Sequence, residues 1–183
     1  MKKNLLVIAL FAIAVLFSNE TTAQKFGGLD KSPMDAVAFP SSYKISDKIA
    51  KVVYSRPQLN GRSVAKLAPA GKVWRLGANE AAEITFYKDV VFGGEKVKAG
   101  SYSLYAIPNE GEWTVILNRA KNVWGSYFYN ENEDVARVKA TVSKAAKSTE
   151  AFSIVFEGED DKATMYLGWG KTIVSVPVKE LVL

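Results

Sequence analysis

Five polar side chains stand out for the chemistry they can do: Arg56, Arg62, Arg75, Asn79 and Glu80. An arginine presents a planar fork of donors that matches a carboxylate, phosphate or sulfate in bidentate fashion, and it is costly to bury. Two or three such groups in one concavity would bind a small anion. Arg75 lies between Trp74 and Leu76, which predicts an aliphatic stem packed on apolar surface. A structural reading competes and is favoured on sequence alone. In it Arg75 pairs with Glu80 at a sheet end, and Asn79 caps the turn at Gly77-Ala78.

A second set is the aromatic run Trp124-Gly125-Ser126-Tyr127-Phe128-Tyr129. Aromatic rings with polar tips on a loop suit sugar-ring stacking or a protein interface. The competing reading is a plug, with Trp124 filling the open end of a core. Rings exposed on one side favour binding, and buried rings favour the plug. A third set is acidic: Glu131, Glu133 and Asp134, then Glu157, Glu159, Asp160 and Asp161. Oxygen-rich turns can hold calcium, but this spacing is not that of an EF-hand loop, so the expectation is solvated turns and no metal. Glu80 with Glu83 could form a glycosidase-type carboxylate pair only at a separation the sequence does not reveal.

Histidine and cysteine are both absent. Thiolate and imidazole zinc sites are thereby excluded. So are Ser-His-Asp and Cys-His centres. General acid–base chemistry would fall to Asp, Glu, Lys or Tyr. No cofactor is expected. The net charge of +5 is spread among interleaved acids, with no basic stripe for nucleic acid and no polybasic membrane patch.

The elements that must position these residues begin after an export signal. Lys2 and Lys3 precede an unbroken apolar run from Leu5 to Phe17, followed by polar residues and Ala23. That is the three-part layout of a secretory signal peptide, cut after Ala23. The run is well short of the roughly 20 residues that span a bilayer, so no membrane span is expected after cleavage. Residues 1–23 are thus read as a signal peptide, which places the protein in the periplasm or outside the cell. Residues 24–46, with Gly27, Gly28, Pro33, Pro40, Ser41 and Ser42, read as an N-terminal tether. Residues 47–183 read as a single domain, held together by core packing without disulfides.

Within that domain, period-two alternation recurs about every ten residues between turn signals, which predicts an all-β fold. The clearest strands are Ser101–Ile107, Trp113–Leu117, Phe152–Phe156, Ala163–Trp169 and Thr172–Val178. Earlier strands are expected at Ile49–Tyr54, Val73–Leu76, Glu83–Tyr87 and in Val90-Val91-Phe92, with Gly93-Gly94 as a tight hairpin turn before Lys96-Val97. Asp134–Lys147 fits either a helix or a strand, and its β-branched content favours the strand. Pro177 predicts an edge position for the last strand, because proline cannot donate to a ladder. About nine strands in two packed antiparallel layers follow, an antiparallel β-sandwich of jelly-roll-like or Ig-like form.

Tyr54-Ser55-Arg56-Pro57 and Gly71-Lys72-Val73-Trp74-Arg75-Leu76-Gly77-Ala78-Asn79-Glu80 carry a family resemblance. It continues through Ala99–Pro108, Glu112–Asn118 and Trp124-Gly125-Ser126-Tyr127, so that it spans about residues 38 to 178. The chain resembles the bacterial family catalogued as domain of unknown function 2911. The resemblance implies an exported β-rich domain and transfers no catalytic role. Ala70 and Leu76 depart from the aromatic and the small polar residue expected there, which implies a larger or more apolar pocket if they line one.

The function these features support is a non-catalytic binding domain for a small anionic ligand, a glycan or a partner protein. Its expected contact residues are Arg56, Arg62, Trp74, Arg75, Asn79, Glu80, Trp124 and Tyr127. The alternative is an envelope hydrolase or lyase working with carboxylate, lysine or tyrosine groups.

Overall fold

The structure, a computed structural model, describes residues 24–182; the expected signal segment 1–23 lies outside them. Nine strands form one antiparallel sheet: β1 (Met34–Phe39), β2 (Ala50–Ser55), β3 (Ala82–Phe86), β4 (Val90–Phe92), β5 (Glu95–Val97), β6 (Gly100–Ile107), β7 (Glu112–Asn118), β8 (Asp134–Glu159) and β9 (Lys162–Glu180). Among the described residues, helix is confined to one turn, α1 (Val64–Leu67), and a 3-10 turn at Glu131–Glu133. No helix among the described residues is long and apolar enough to cross a membrane.

The spatial order is β1-β2-β3-β6-β7-β8-β9-β4-β5. The sheet does not close into a barrel. It folds over a single core as an all-β sandwich, and every one of its strands contributes to that core, from Phe39 in β1 to Val178 in β9. The layers are not two separate sheets, because β8 and β9 serve both. β8 pairs with β7 over Asp134–Thr141 and with β9 over Thr141–Glu159. β9 in turn leaves β8 after Ser175 and pairs with β4 from Val178 to Glu180. Pro177 lies between those two ladders. It is therefore tolerated inside a strand that is not at the sheet edge, because neither ladder loses a bond there.

Alternation explains the long strands. Ala136, Val138 and Ala140 are buried in β8 while Arg137, Lys139 and Thr141 are exposed, so Asp134–Lys147 is strand. Phe152, Ile154 and Phe156 continue the inward row. In β9 the inward residues are odd-numbered from Ala163 to Trp169 and even-numbered from Val174 to Val178. The change of parity falls at Gly170, whose φ of 59° is in the left-handed region that glycine enters freely. Opposite it, β8 steps from Lys144 to Thr149 while β9 advances only from Thr172 to Gly170. A bulge of this kind lets one strand turn its faces over without ending. The pairs of strands expected from sequence are thus single strands.

Two further expectations change. Residues 34–39 of the expected tether are β1, paired with β2 along its whole length. Val73–Leu76 is not a strand; Trp74 alone bridges Ala106 of β6, with Trp74 N–H donating to the Ala106 carbonyl at 2.7 Å and the reverse bond at 2.8 Å. The Trp74 indole lies at the centre of an aromatic cluster. It stacks on Trp169 at 5.3 Å and 14°, and meets Phe152 edge-on at 5.0 Å and Trp113 edge-on at 6.0 Å. Such pairs add to the area they bury. Replacing Trp74 by Ala would leave a large void, and the expected loss is about 3–5 kcal/mol, read as a lowered denaturant midpoint; a loss under about 1 kcal/mol would show that the cluster is not the centre of the core.

Candidate functional site

β6 and β7 are buried on both faces. Leu104, Ala106, Trp113, Val115 and Leu117 face the main core, while Tyr105 and Ile116 form a second cluster with Ala81. That outer cluster is covered by segment 73–81 and by the loop from Arg119 to Asn130, through Val73, Val123 and Tyr129. The two coverings are tied to each other. Ala81 N–H donates to the Val123 carbonyl at 3.0 Å, Gly125 N–H to the Asn79 carbonyl at 2.9 Å, and Ser126 Oγ to the Val73 carbonyl at 3.2 Å.

The loop is also clamped at its base. Asn118, fully buried at the end of β7, donates through Nδ2 to Asp134 Oδ1 at 2.8 Å and to the Asn130 carbonyl at 2.9 Å. Its own Oδ1 accepts from Ala120 N–H at 3.0 Å. Asp134 Oδ2 accepts from Tyr129 Oη at 2.6 Å and from Arg137 Nη1 at 2.7 Å. Both carboxylate oxygens are thus occupied, and Glu131 shares Arg137 at 3.4 Å. Burial, then the Asp134 carboxylate, push the Tyr129 phenol well above the usual tyrosine range. The hydrogen bond to Asp134 holds Arg137 firmly charged. Every member is satisfied, which makes the network a structural clamp.

With the loop held in this way, its aromatic residues divide. Tyr129 packs inward on Tyr105 with rings 5.1 Å apart. Trp124, Tyr127 and Phe128 point outward, 57%, 79% and 81% exposed. The Tyr127 ring is bedded on the backbone of Gly125: a Cβ there would meet Tyr127 Cδ2 and Cε2 at 2.9 Å. Gly125 has φ 66°, so the loop needs glycine at that position for both reasons. The core plug is Trp74 with Trp113 and Trp169, and not Trp124.

The eight expected contact residues fall into three groups. Arg75, Asn79, Glu80, Trp124 and Tyr127 share the outer covering, where Glu80 bridges Trp124. Trp74 is buried in the core and offers no face to a ligand. Arg56 and Arg62 lie elsewhere and are occupied. Arg56 donates to the Phe152 carbonyl at 3.1 Å, to Ser153 Oγ at 2.7 Å and to Asp35 at 3.1 Å, and so fastens β2 and β1 to β8. Arg62 donates to the carbonyls of Leu59 and Gln58, both at 2.8 Å. The arginines therefore do not converge on one concavity. Arg75 does not pair with Glu80 either: among the described residues its side chain has no carboxylate partner, and its Nε is buried without a hydrogen bond.

A protein-family model described as "Protein of unknown function (DUF2911)" matches residues 32–178. The chain belongs to this family. No curated protein and no solved structure matches it. Of the two positions at which this DUF2911 chain departs from the expected pattern, Leu76 is fully buried in the main core. Its φ of 49° is strained for a leucine, and Asn79 follows at 60°.

Grooves occur elsewhere on the DUF2911 domain. One of about 450 Å³ crosses the outer face of β8 and β9, lined by Ser153, Val155, Glu157, Tyr166 and Ile173 among others. Another, of about 110 Å³, brings Glu80 and Glu83 together beside Ser55 and Asn122. That is well below the roughly 300–1,000 Å³ of small-molecule sites, and Glu83 Oε1 already accepts from Asn122 N–H at 2.6 Å.

Sequence reading missed the Asn118–Asp134–Arg137 clamp. In a regular strand residues three apart face opposite sides, so Asp134 and Arg137 give no pairing signal. They meet because Asp134 opens β8 directly after a 3-10 turn, opposite a register shift between Leu117 and Asn118.

Asp134→Ala should release the loop. Amide exchange across residues 119–130 is expected to speed up by at least about tenfold, with a stability loss of about 1–3 kcal/mol; unchanged exchange would separate the clamp from the loop. The tyrosines give a pH signature. Tyr129 has its phenol raised above 10.0, as burial also does for Tyr54 and Tyr105. Below that value folded and unfolded chains both keep the proton. Above it the unfolded chain ionises first, so the tyrosine contribution to stability is flat below pH 10 and falls as pH rises further. Tyr129→Phe should flatten part of that fall in urea titrations run from about pH 8 to about pH 11; an unaltered slope would remove Tyr129 from it.

Proposed function

We propose that this chain is an exported, non-catalytic binding domain whose contact face is the 124–128 loop beside Arg75. One observation carries the reading: three aromatic side chains stand in solvent on a loop that is otherwise fully tied down. Leaving large apolar rings together in water is unfavourable, and contiguous exposed apolar surface marks interaction sites. Tryptophan, tyrosine and arginine are the side chains that most often dominate binding energy. The clamp at Asn118 and Asp134 means that little loop entropy is lost on binding, so contacts made by the rings appear as affinity.

Export rests on the Lys2-Lys3 start, the Leu5–Phe17 run and Ala23. The hydrolase or lyase alternative has its best support in the Glu80–Glu83 groove, whose volume and bonded Glu83 leave little room for a substrate.

Of the four tryptophans, Trp124 alone is exposed. Acrylamide quenching of the exported protein therefore reports on the loop. Screened against neutral oligosaccharides, acidic oligosaccharides and short peptides, at least one class is expected to shield Trp124. Trp124→Ala and Tyr127→Ala should abolish binding of that class while changing stability by no more than about 0.5 kcal/mol. Unshielded Trp124 in every case, with both variants as destabilised as a core variant, would overturn the reading. N-terminal sequencing of the exported protein should begin at Gln24; a chain retaining Met1 in the envelope would overturn the signal cleavage.

A further inference from the structure

Arg75 is the unusual cation of this molecule. Arg56, Arg62 and Arg137 each donate at least two hydrogen bonds to carbonyls, hydroxyls or carboxylates. Arg75 is half-buried, as Arg56 is and the exposed Arg62 and Arg137 are not, yet among the described residues its side chain makes no hydrogen bond and no ion pair. Burial lowers its pKa, and the only ionisable side chain that acts against this is Tyr127. Guanidinium groups stay charged at neutral pH even so. A partly desolvated charge without a counter-charge is unfavourable, and an incoming anion would relieve it.

The backbone holds it there. Trp74 is pinned to Ala106 on one side, so the next residue projects to the other, towards the covering loop. The strained φ angles of Leu76 and Asn79 follow the position directly. Tyr127 offers its neighbour a fixed platform, with one ring face on the Gly125 backbone and the ring 79% exposed. Trp124 adds a second exposed ring with an N–H at its edge. Without residues 1–23 the chain keeps a net charge of 22 − 18 = +4, which favours the approach of anions.

Resting on the binding reading above, we propose that the ligand is an acidic saccharide. A sugar ring stacks by its C–H face on Tyr127 and Trp124, and its carboxylate is received by the Arg75 guanidinium. The polar tips of both rings meet sugar hydroxyls. An acidic peptide fits less well, because the loop's N–H groups at Gly125 and its carbonyl at Val123 are already bonded to Asn79 and Ala81 and offer no strand edge.

The test uses the exported protein, Trp124 quenching, and three probes: oligogalacturonate, its methyl-esterified neutral form, and an oligoglutamate peptide. Oligogalacturonate should shield Trp124, and less so as salt rises. The esterified form, and Arg75→Gln with the acid form, should each bind at least about tenfold more weakly, the cost of one charge-assisted bond. Arg75→Lys should recover only part of the loss, since it keeps the charge and not the fork. Should Arg75→Gln fail to fold, the acid-against-ester comparison on the unmutated protein decides alone. Equal binding of acid and ester, or preferential binding of the peptide, would overturn the acidic-saccharide inference and leave the loop as a binding face. Failure of all three probes to shield Trp124 would overturn the inference, while shielding by some other class in the wider screen would still preserve the binding reading.

Discussion

The Trp74 indole, stacked on Trp169 and boxed by Phe152 and Trp113, is the contact on which the outer half of the molecule depends. Segment 73–81 has no ladder of its own beyond the isolated bridges of Trp74 to Ala106 and of Glu80 to Trp124. It stays on the sheet because one large side chain is driven into the core, and burying an indole there is worth several kcal/mol relative to truncation. With Trp74 inward, Arg75 must face outward beneath the loop. Leu76 and Asn79 follow with positive φ, a strain that the surrounding packing has to outweigh.

A second constraint is polar. The loop after β7 would be free to collapse its aromatic residues onto the nearest apolar surface. Asn118 and Asp134 prevent this by fixing both ends, and Val123 and Tyr129 already cover the outer face of β6 and β7. The remaining rings of the loop are left standing in solvent. Order at the base and exposure at the tip are two consequences of one network, which is why a rigid scaffold can present an apolar contact face.

Much of the fold was legible from alternation. The inward rows of β6, β7, β8 and β9 could be read directly, and so could the Gly93-Gly94 hairpin, whose φ angles of 57° and 98° only glycine adopts without strain. Three features were not legible. β1 hides in a segment rich in proline and serine, because a short edge strand needs only one partner. The unions within β8 and β9 depend on bulges, which interrupt the period that reveals a strand. The isolated bridge at Trp74 looks in sequence like a strand, since its apolar residues are buried by side-chain packing and not by a ladder.

At the site, residue type alone set what could be done: without histidine or cysteine, recognition falls to arginine forks and aromatic rings. The type of a residue says nothing about its partners, however, and partners decide its role. Arg56, Arg62 and Arg75 are indistinguishable as letters, yet two are saturated by backbone and carboxylate oxygens and one is not. Only the folding of a distant loop over β6 and β7 determined which guanidinium lies unpaired and which rings face the solvent, because hydrogen bonds between segments tens of residues apart in the chain leave no local periodicity to read.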